Sequence, residues 1–267
     1  MEDYKQYLIE KDFSDHTVDS YMFAVRQMRE RLGEELTNER LLSHKDWLAS
    51  HFAAKTVNLR ITAINSYLDF TEHSGIRLKS LRIQQKPFLD NVISQTDYEL
   101  LRDSLQRGGE LFWYFVVRFL TCTGARVSEL RLFTAESVYV GHLDLISKGQ
   151  KLRRIYIPKN LQQDAICWLE SFGCSNGFIF ASKDGMPMTA RGISLGLKRC
   201  AAKYGINQDV VYPHSFRHRF AKNFIEKNPD IAFLADLMGH ESLETTRIYL
   251  RRTASEQRDA VDATIDW

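Results

Sequence analysis

The sequence predicts a mainly α protein with a small antiparallel β-sheet. Three observations carry this. Apolar residues recur at three-and-four spacing in the amino-terminal part, short alternating segments lie between residues 138 and 157, and the polar, proline-interrupted stretch Arg82-Ile-Gln-Gln-Lys-Pro-Phe88 shows neither period. The chain has 267 residues, and its 44% hydrophobic content is ample for one large core or two smaller ones. The polar stretch places a linker over 82–92, separating a helical domain over 1–81 from a second domain over 93–267 that ends in a short tail.

In the first domain, Ser14-Asp15 offers capping oxygens, and Val18, Tyr21, Met22, Val25, Met28 and Leu32 then form one stripe up to Gly33. A second stripe, Val57, Ile61, Ile64 and Leu68, predicts a helix over 55–74 closed by Gly75. Lys55, Asn58 and Arg60 lie off that stripe, on a polar face suited to solvent or to a DNA backbone.

The second domain opens with a helix near Ser94 to Asp97. Leu111 to Leu120 is so apolar that its helix must be nearly all buried, ending at Thr123-Gly124. Arg126 starts the next helix, where backbone N–H groups favour an anion and a guanidinium is well placed for phosphate; pairing with Glu129 in the same turn is the other use for it. Val138-Tyr-Val140, Leu143-Asp-Leu145-Ile and Ile155-Tyr-Ile157, separated by Gly141 and by Lys148-Gly149-Gln150-Lys151, predict three antiparallel strands. Lys148 then sits on a turn, from which a lysine can reach into a cleft and give up a proton.

A helix around Leu161 to Phe172, a turn at Asp184-Gly185 and a basic helix from Thr189 to Lys203 lead to Tyr212-Pro213-His214, where proline marks another helix start. His214, Arg217 and His218 share one face of it. No Glu follows the first His as in a zinc-protease motif, and the nearby cationic side chains repel a metal, so no metal is expected. Asn228-Pro229-Asp230 begins a helix that ends at Gly239. His240 follows, and Ser242 caps a short helix from Leu243 to Tyr249.

Net charge is only +2, but the basic residues are clustered. Lys148, Lys151, Arg153, Arg154 and Lys159 form a run without an acid, and Arg191 to Lys222 holds seven basic residues against Asp209 alone. Cys122, Cys167, Cys174 and Cys200 show no Cys-x-x-Cys spacing, which predicts reduced thiols rather than a zinc ribbon or redox pair. Without a long apolar run or a signal-peptide pattern, a cytoplasmic location and no membrane partner are expected.

Five motifs occur in order: Thr123-Gly-Ala-Arg126-Val-Ser-Glu-Leu130, Ser147-Lys148-Gly149, His214-x-x-Arg217-His218, Leu237-Met-Gly-His240, and Tyr249 nine residues beyond that histidine. With these the chain resembles the tyrosine recombinase, or phage integrase, family in its two-domain Xer and transposon-integrase form. The resemblance covers nearly the whole chain and implies a helical core-site-binding domain plus a mixed α/β catalytic domain, clamped on double-stranded DNA whose core sites are inverted repeats. Tyr249 would attack the scissile phosphate, forming a 3'-phosphotyrosyl bond and freeing a 5' hydroxyl. Arg126 and Arg217 would hold the nonbridging oxygens, His214 and His240 would hydrogen-bond the phosphate, with His214 also assisting the tyrosine proton, and Lys148 would be the general acid.

The phosphotyrosyl bond conserves the energy of the broken one, so no cofactor, ATP or metal is implied. DNA contacts are expected from Lys55, Asn58, Arg60, Lys151, Arg153, Arg191 and Lys198, with a tetramer in the synaptic complex. A topoisomerase of type IB that only relaxes supercoils, or a site-binding protein without chemistry, would share much of this pattern. Integration and excision, dimer resolution and segment inversion would all use it. The chain departs from the family after His218, where small residues such as Ala-Thr are usual and Arg219-Phe-Ala-Lys-Asn stands instead, altering packing or adding a phosphate contact. Val261, Ile265 and Trp267 give the tail an apolar stripe suited to docking on a neighbouring protomer.

Overall fold

The computed structural model describes residues 1–33, 35–73, 75–83, 91–146, 152–240, 242–247, 249 and 254–265. It divides into two compact units, Met1–Gln85 and Lys86–Trp267.

The first unit is a four-helix bundle of α1 (Glu2–Glu10), α2 (Asp15–Leu32), α3 (Asn38–His51) and α4 (Ala54–Phe70). Ser14 caps α2 by accepting from the Thr17 N–H, and Gly33 ends it at φ 73°. The two expected stripes meet in the core, where Val25, Met28, Leu48, Ile61 and Ile64 are fully buried. The helix expected over 55–74 stops instead at Phe70, with Thr71 as its C-cap and not Gly75. Beyond it, the chain folds back along α4. Asn58 and Asn65, two turns apart, each use both ends of the amide on a returning peptide: Asn58 on the N–H and C=O of Leu81 (2.7 and 3.0 Å), Asn65 on those of Leu78 (3.0 and 2.9 Å).

The second unit is built around α6 (Leu111–Thr123), whose residues Phe115 to Thr121 are all buried. Packed about it are α5 (Gln95–Arg107), the one-turn α7 (Val127–Leu130), α9 (Lys159–Glu170), α10 (Ala190–Lys203) and α11 (Pro213–Lys227). Phe119 takes edge contacts from Phe133 and Phe180 at 5.0 and 5.3 Å, and Phe115 stacks on Trp168 at 4.4 Å. These offset and edge geometries suit aromatic quadrupoles in a close-packed core.

Of the three expected strands, two form: β1 (His142–Ile146) and β2 (Leu152–Tyr156), antiparallel with Leu143 opposite Ile155. Residues 138–140 belong instead to α8 (Ala135–Val140). Thr134 and Ser137 cap one another's backbone N–H groups and start a helical turn, and Gly141, at φ 87°, closes it. A local capping motif outweighs the β preference of Val-Tyr-Val because each cap satisfies a backbone donor that the helix start leaves open. The chain ends through α12 (Ile231–Met238), α13 (Leu243–Arg247) and α14 (Ala254–Thr264). Among the described residues no helix is long and apolar enough to cross a membrane.

Candidate active site

Two helix ends build the site. Gly124 at φ 63° terminates α6, and Gly239 at φ 61° terminates α12, both in the left-handed region open to glycine. A helix end leaves its last carbonyls unpaired and negatively polarised. Here those carbonyls receive guanidinium groups. Arg217 donates to Gly124 O and, at 2.6 Å, to Met238 O; Arg126 donates to Gly239 O at 3.2 Å; Arg153 donates to Leu237 O at 3.1 Å. Three mutually repelling cations are thus gathered on four carbonyls and one carboxylate, Glu129.

Glu129 accepts from the Arg126 N–H (2.7 Å), from the Arg126 guanidinium (2.8 Å) and from Arg153. Burial works against its ionisation, but the Arg126 N–H and the charges of Arg153 and Arg126 outweigh that and hold the carboxyl below its ordinary value. Arg126 is thus paired with Glu129, one of the two uses the sequence offered for it, and its side chain is partly exposed at the helix start.

Arg217 is 1% exposed, and its Nε finds no partner among the described residues. Burial and then the Arg126 charge push its pKa down to about 10, with Tyr249 acting in the opposite sense. Its guanidinium also donates to His240 Nε2 at 2.9 Å. Since a guanidinium only donates, that nitrogen is the acceptor, and Nδ1 carries the proton it offers to Thr246 Oγ1 at 2.8 Å. Desolvation, followed by the charges of Arg217, Arg126 and Arg153, pushes His240 down to about 4, so the ring is neutral at pH 7.

Pro213 stands at the first position of α11, and His214, Arg217 and His218 follow on one face. Tyr249, 7% exposed, meets that face. Its ring lies 4.3 Å from His218, stacks on His240 at 5.2 Å, and stands 6.4 Å from His214 and 5.9 Å from the Arg217 guanidinium carbon. Tyr249 also belongs to a small buried apolar cluster with Ala221, Leu234 and Met238. His214 is exposed; desolvation and the charges of Arg217 and Arg126 lower its pKa. His218 is pushed down to about 4 by burial, then by His214, Lys222 and Arg217.

The structure thus brings together Arg126, His214, Arg217, His240 and Tyr249, drawn from four places in the chain. Lys148 and Lys151 lie outside the described residues. Beside Arg126 and His240 opens a cleft of about 1000 Å³ that reaches Leu145, Ile146 and Leu152 of the hairpin. Sequence reasoning missed the contact of His218 with the tyrosine, although its place four residues after His214 was a signal. It also missed Thr246, for which the sequence holds none.

The expected DNA contacts fall into two groups. Lys55, Arg191 and Lys198 are exposed on helix surfaces. Arg153, Asn58 and Arg60 are already engaged within the protein, the last donating to Gln27 at 2.6 Å while stacking 3.8 Å over Phe52. Arg219, the departure noted after His218, is buried and donates from two nitrogens to Ile93 O at 3.0 and 2.5 Å, while Ser215 accepts from the Ile93 N–H at 2.7 Å. It is a packing residue, anchoring α11 to the start of the second unit.

Residues 91–256 match the family model described as Phage integrase family. The chain belongs to that family. It is a tyrosine recombinase, an enzyme of site-specific DNA recombination. Among curated relatives, tyrosine recombinase XerA of Thermococcus kodakarensis is 26% identical over 273 residues, covering 97% of this chain and 93% of the relative. Tyrosine recombinase XerC of a Shewanella species is 25% identical over 257 residues, covering 90% and 86%. Of solved structures, the Tn1549 transposon integrase with transposon right end DNA matches with TM-score 0.72 at 18% identity, covering 97% of both chains. A lambda integrase tetramer bound to a Holliday junction matches with TM-score 0.73 at 17% identity, covering all of this chain and 77% of that one. The structural likeness places this tyrosine recombinase in their fold.

Proposed function

We propose that this recombinase breaks and rejoins DNA strands through a 3'-phosphotyrosine intermediate at Tyr249. The observation that carries the reading is the seating of the Tyr249 ring against His214, His218, His240 and Arg217, with Arg126 in the same constellation. A phenol is a weak nucleophile near neutral pH, its reference pKa being about 10, so a cationic and imidazole-rich surround is what such an attack requires.

In this scheme the Tyr249 oxygen attacks phosphorus in line as the P–O5' bond breaks. The phenolic proton leaves towards His214, and the departing 5' oxygen takes a proton from Lys148. Arg126 and Arg217 hold the nonbridging oxygens as negative charge gathers on them, with His240 as a further hydrogen-bonding group. The neutral state of His240 matters here: at pH 7 its Nδ1 proton is committed to Thr246 and Nε2 takes the Arg217 N–H, so the ring steadies the arginine, and it donates to phosphate only once its proton stands on Nε2. Attack by a free 5' hydroxyl on the phosphotyrosine reverses the step and joins a new strand. Each bond broken is matched by one formed, so the scheme asks for no ATP, cofactor or metal.

The partner is double-stranded DNA with core sites as inverted repeats, bound by the exposed Lys55, Arg191 and Lys198 together with Lys151, and the synaptic assembly is a tetramer. That the Tn1549 and lambda integrases were solved on DNA, the latter as a tetramer on a Holliday junction, supports this. The test is a nicked suicide duplex carrying the core site. Wild type should form a covalent protein–DNA adduct and Tyr249→Phe none. An adduct that persists in Tyr249→Phe would assign the nucleophile elsewhere. Relaxation of supercoils with no joint product from two sites would point to a type IB topoisomerase, and DNA binding without any adduct to a site-binding protein.

A further inference from the structure

Arg153 belongs to the basic run around the hairpin, yet it does not project from it. Its side chain is 10% exposed, NH1 is on Glu129 Oε1 and NH2 on Leu237 O at 3.1 Å. Its stem passes so close to the α12 C-cap that a Cβ at Gly239 would stand 2.5 Å from Arg153 Cδ. Each of those neighbours is also a neighbour of a group that the proposed reaction uses. Glu129 holds the Arg126 backbone and guanidinium, Gly239 O receives Arg126 at 3.2 Å, and Leu237 lies in the last turn before His240.

We infer that Arg153 is a positioning residue: it ties β2 to Glu129 and to the end of α12, and so holds Arg126 and His240 in the register that grips phosphate. The inference rests on the reaction proposed above. A planar guanidinium suits the task because it presents donors in two fixed directions, one for a carboxylate and one for a carbonyl; a lysine ammonium on a flexible stem does not hold both at once. A guanidinium closed in this way offers little to a DNA backbone.

The test compares wild type, Arg153→Met and Arg153→Lys on the suicide duplex and in single-site binding over a salt series. The inference expects the rate of adduct formation at saturating DNA to fall about 10- to 100-fold in Arg153→Met, on the scale of a small misplacement of reacting groups, with only partial rescue in Arg153→Lys. The slope of log affinity against log salt should stay at the wild-type value. A slope shallower by about one, the mark of one lost phosphate contact, would make Arg153 a DNA-contacting residue and overturn the inference.

An unchanged cleavage rate would overturn it too. To separate positioning from general loss of stability, Arg126→Lys is added to each background. If Arg153 works through Arg126, the double variant is scarcely slower than the worse single one; fully multiplicative effects would refute it. Should Arg153→Met fail to fold, Arg153→Lys carries the same comparisons. Wild type that forms no adduct would count against the proposed reaction rather than against Arg153.

Discussion

At the scale of single residues, this recombinase places charge where isolated charge would be expensive. Arg217 is tolerated at 1% exposure because two helix-end carbonyls and a neutral imidazole accept its protons. The opposite case is His44, on α3. It is 0% exposed, both ring nitrogens lack a partner among the described residues, and its ring packs on Trp47 at 5.7 Å. Burial, then the charges of Arg31 and Arg60, push its pKa from 6.5 down to about 4. The folded form therefore binds fewer protons than the unfolded chain in that window. Stability is fully present above about pH 6.5 and is lost as pH falls towards 4, by roughly 3 kcal/mol. Thermal unfolding from pH 7.5 to 4.5 should show a steeper acid decline for wild type than for His44→Phe; parallel curves would exclude His44 as the titrating group.

At the scale of elements, backbone ends decide more than side-chain stripes. The left-handed glycines after α6 and α12 turn spare carbonyls towards arginines, and the Thr134–Ser137 cap converts an apparent strand into α8. In the first unit, α4 is lengthened functionally by its paired asparagines. Asn58 is expected on DNA from its polar position, and in the folded chain its amide bonds the backbone N–H and C=O of Leu81. Asn58→Ala leaves a donor and an acceptor of that peptide without their partner and should lower stability by about 1–3 kcal/mol in urea unfolding. If Asn58 contacted DNA as well, single-site affinity would drop beyond what the loss of folded protein explains; unchanged affinity of the folded fraction is expected.

At the scale of the whole molecule, assembly is expected to depend on the tail. In α14, Val261 and the following Ile265 are half exposed, four residues apart and hence on one face. Such a stripe, left uncovered in the single chain, is suited to a neighbouring protomer. Deleting residues 254–267 should weaken synapsis of two sites several-fold more than binding to one site, measured side by side by gel shift. Equal losses in both would show that the tail supports the fold or the DNA contact instead.

The sequence by itself determined the helical stripes of α2 and α4, the buried run of α6, the glycine ends and the ordered spacing of Arg126, His214, Arg217, His240 and Tyr249. These follow from local chemistry: periodic burial, caps, left-handed turns and motif spacing are written in neighbouring residues. Only the tertiary structure decided which polar side chains face outwards. Arg153, Asn58 and Arg219 have the composition of surface residues, but each meets a partner 23 to 126 positions away that no spacing rule reveals. Likewise the contact of His218 with Tyr249 exists because α11 packs beside the end of the chain, a long-range consequence of burying apolar surface rather than of any local preference.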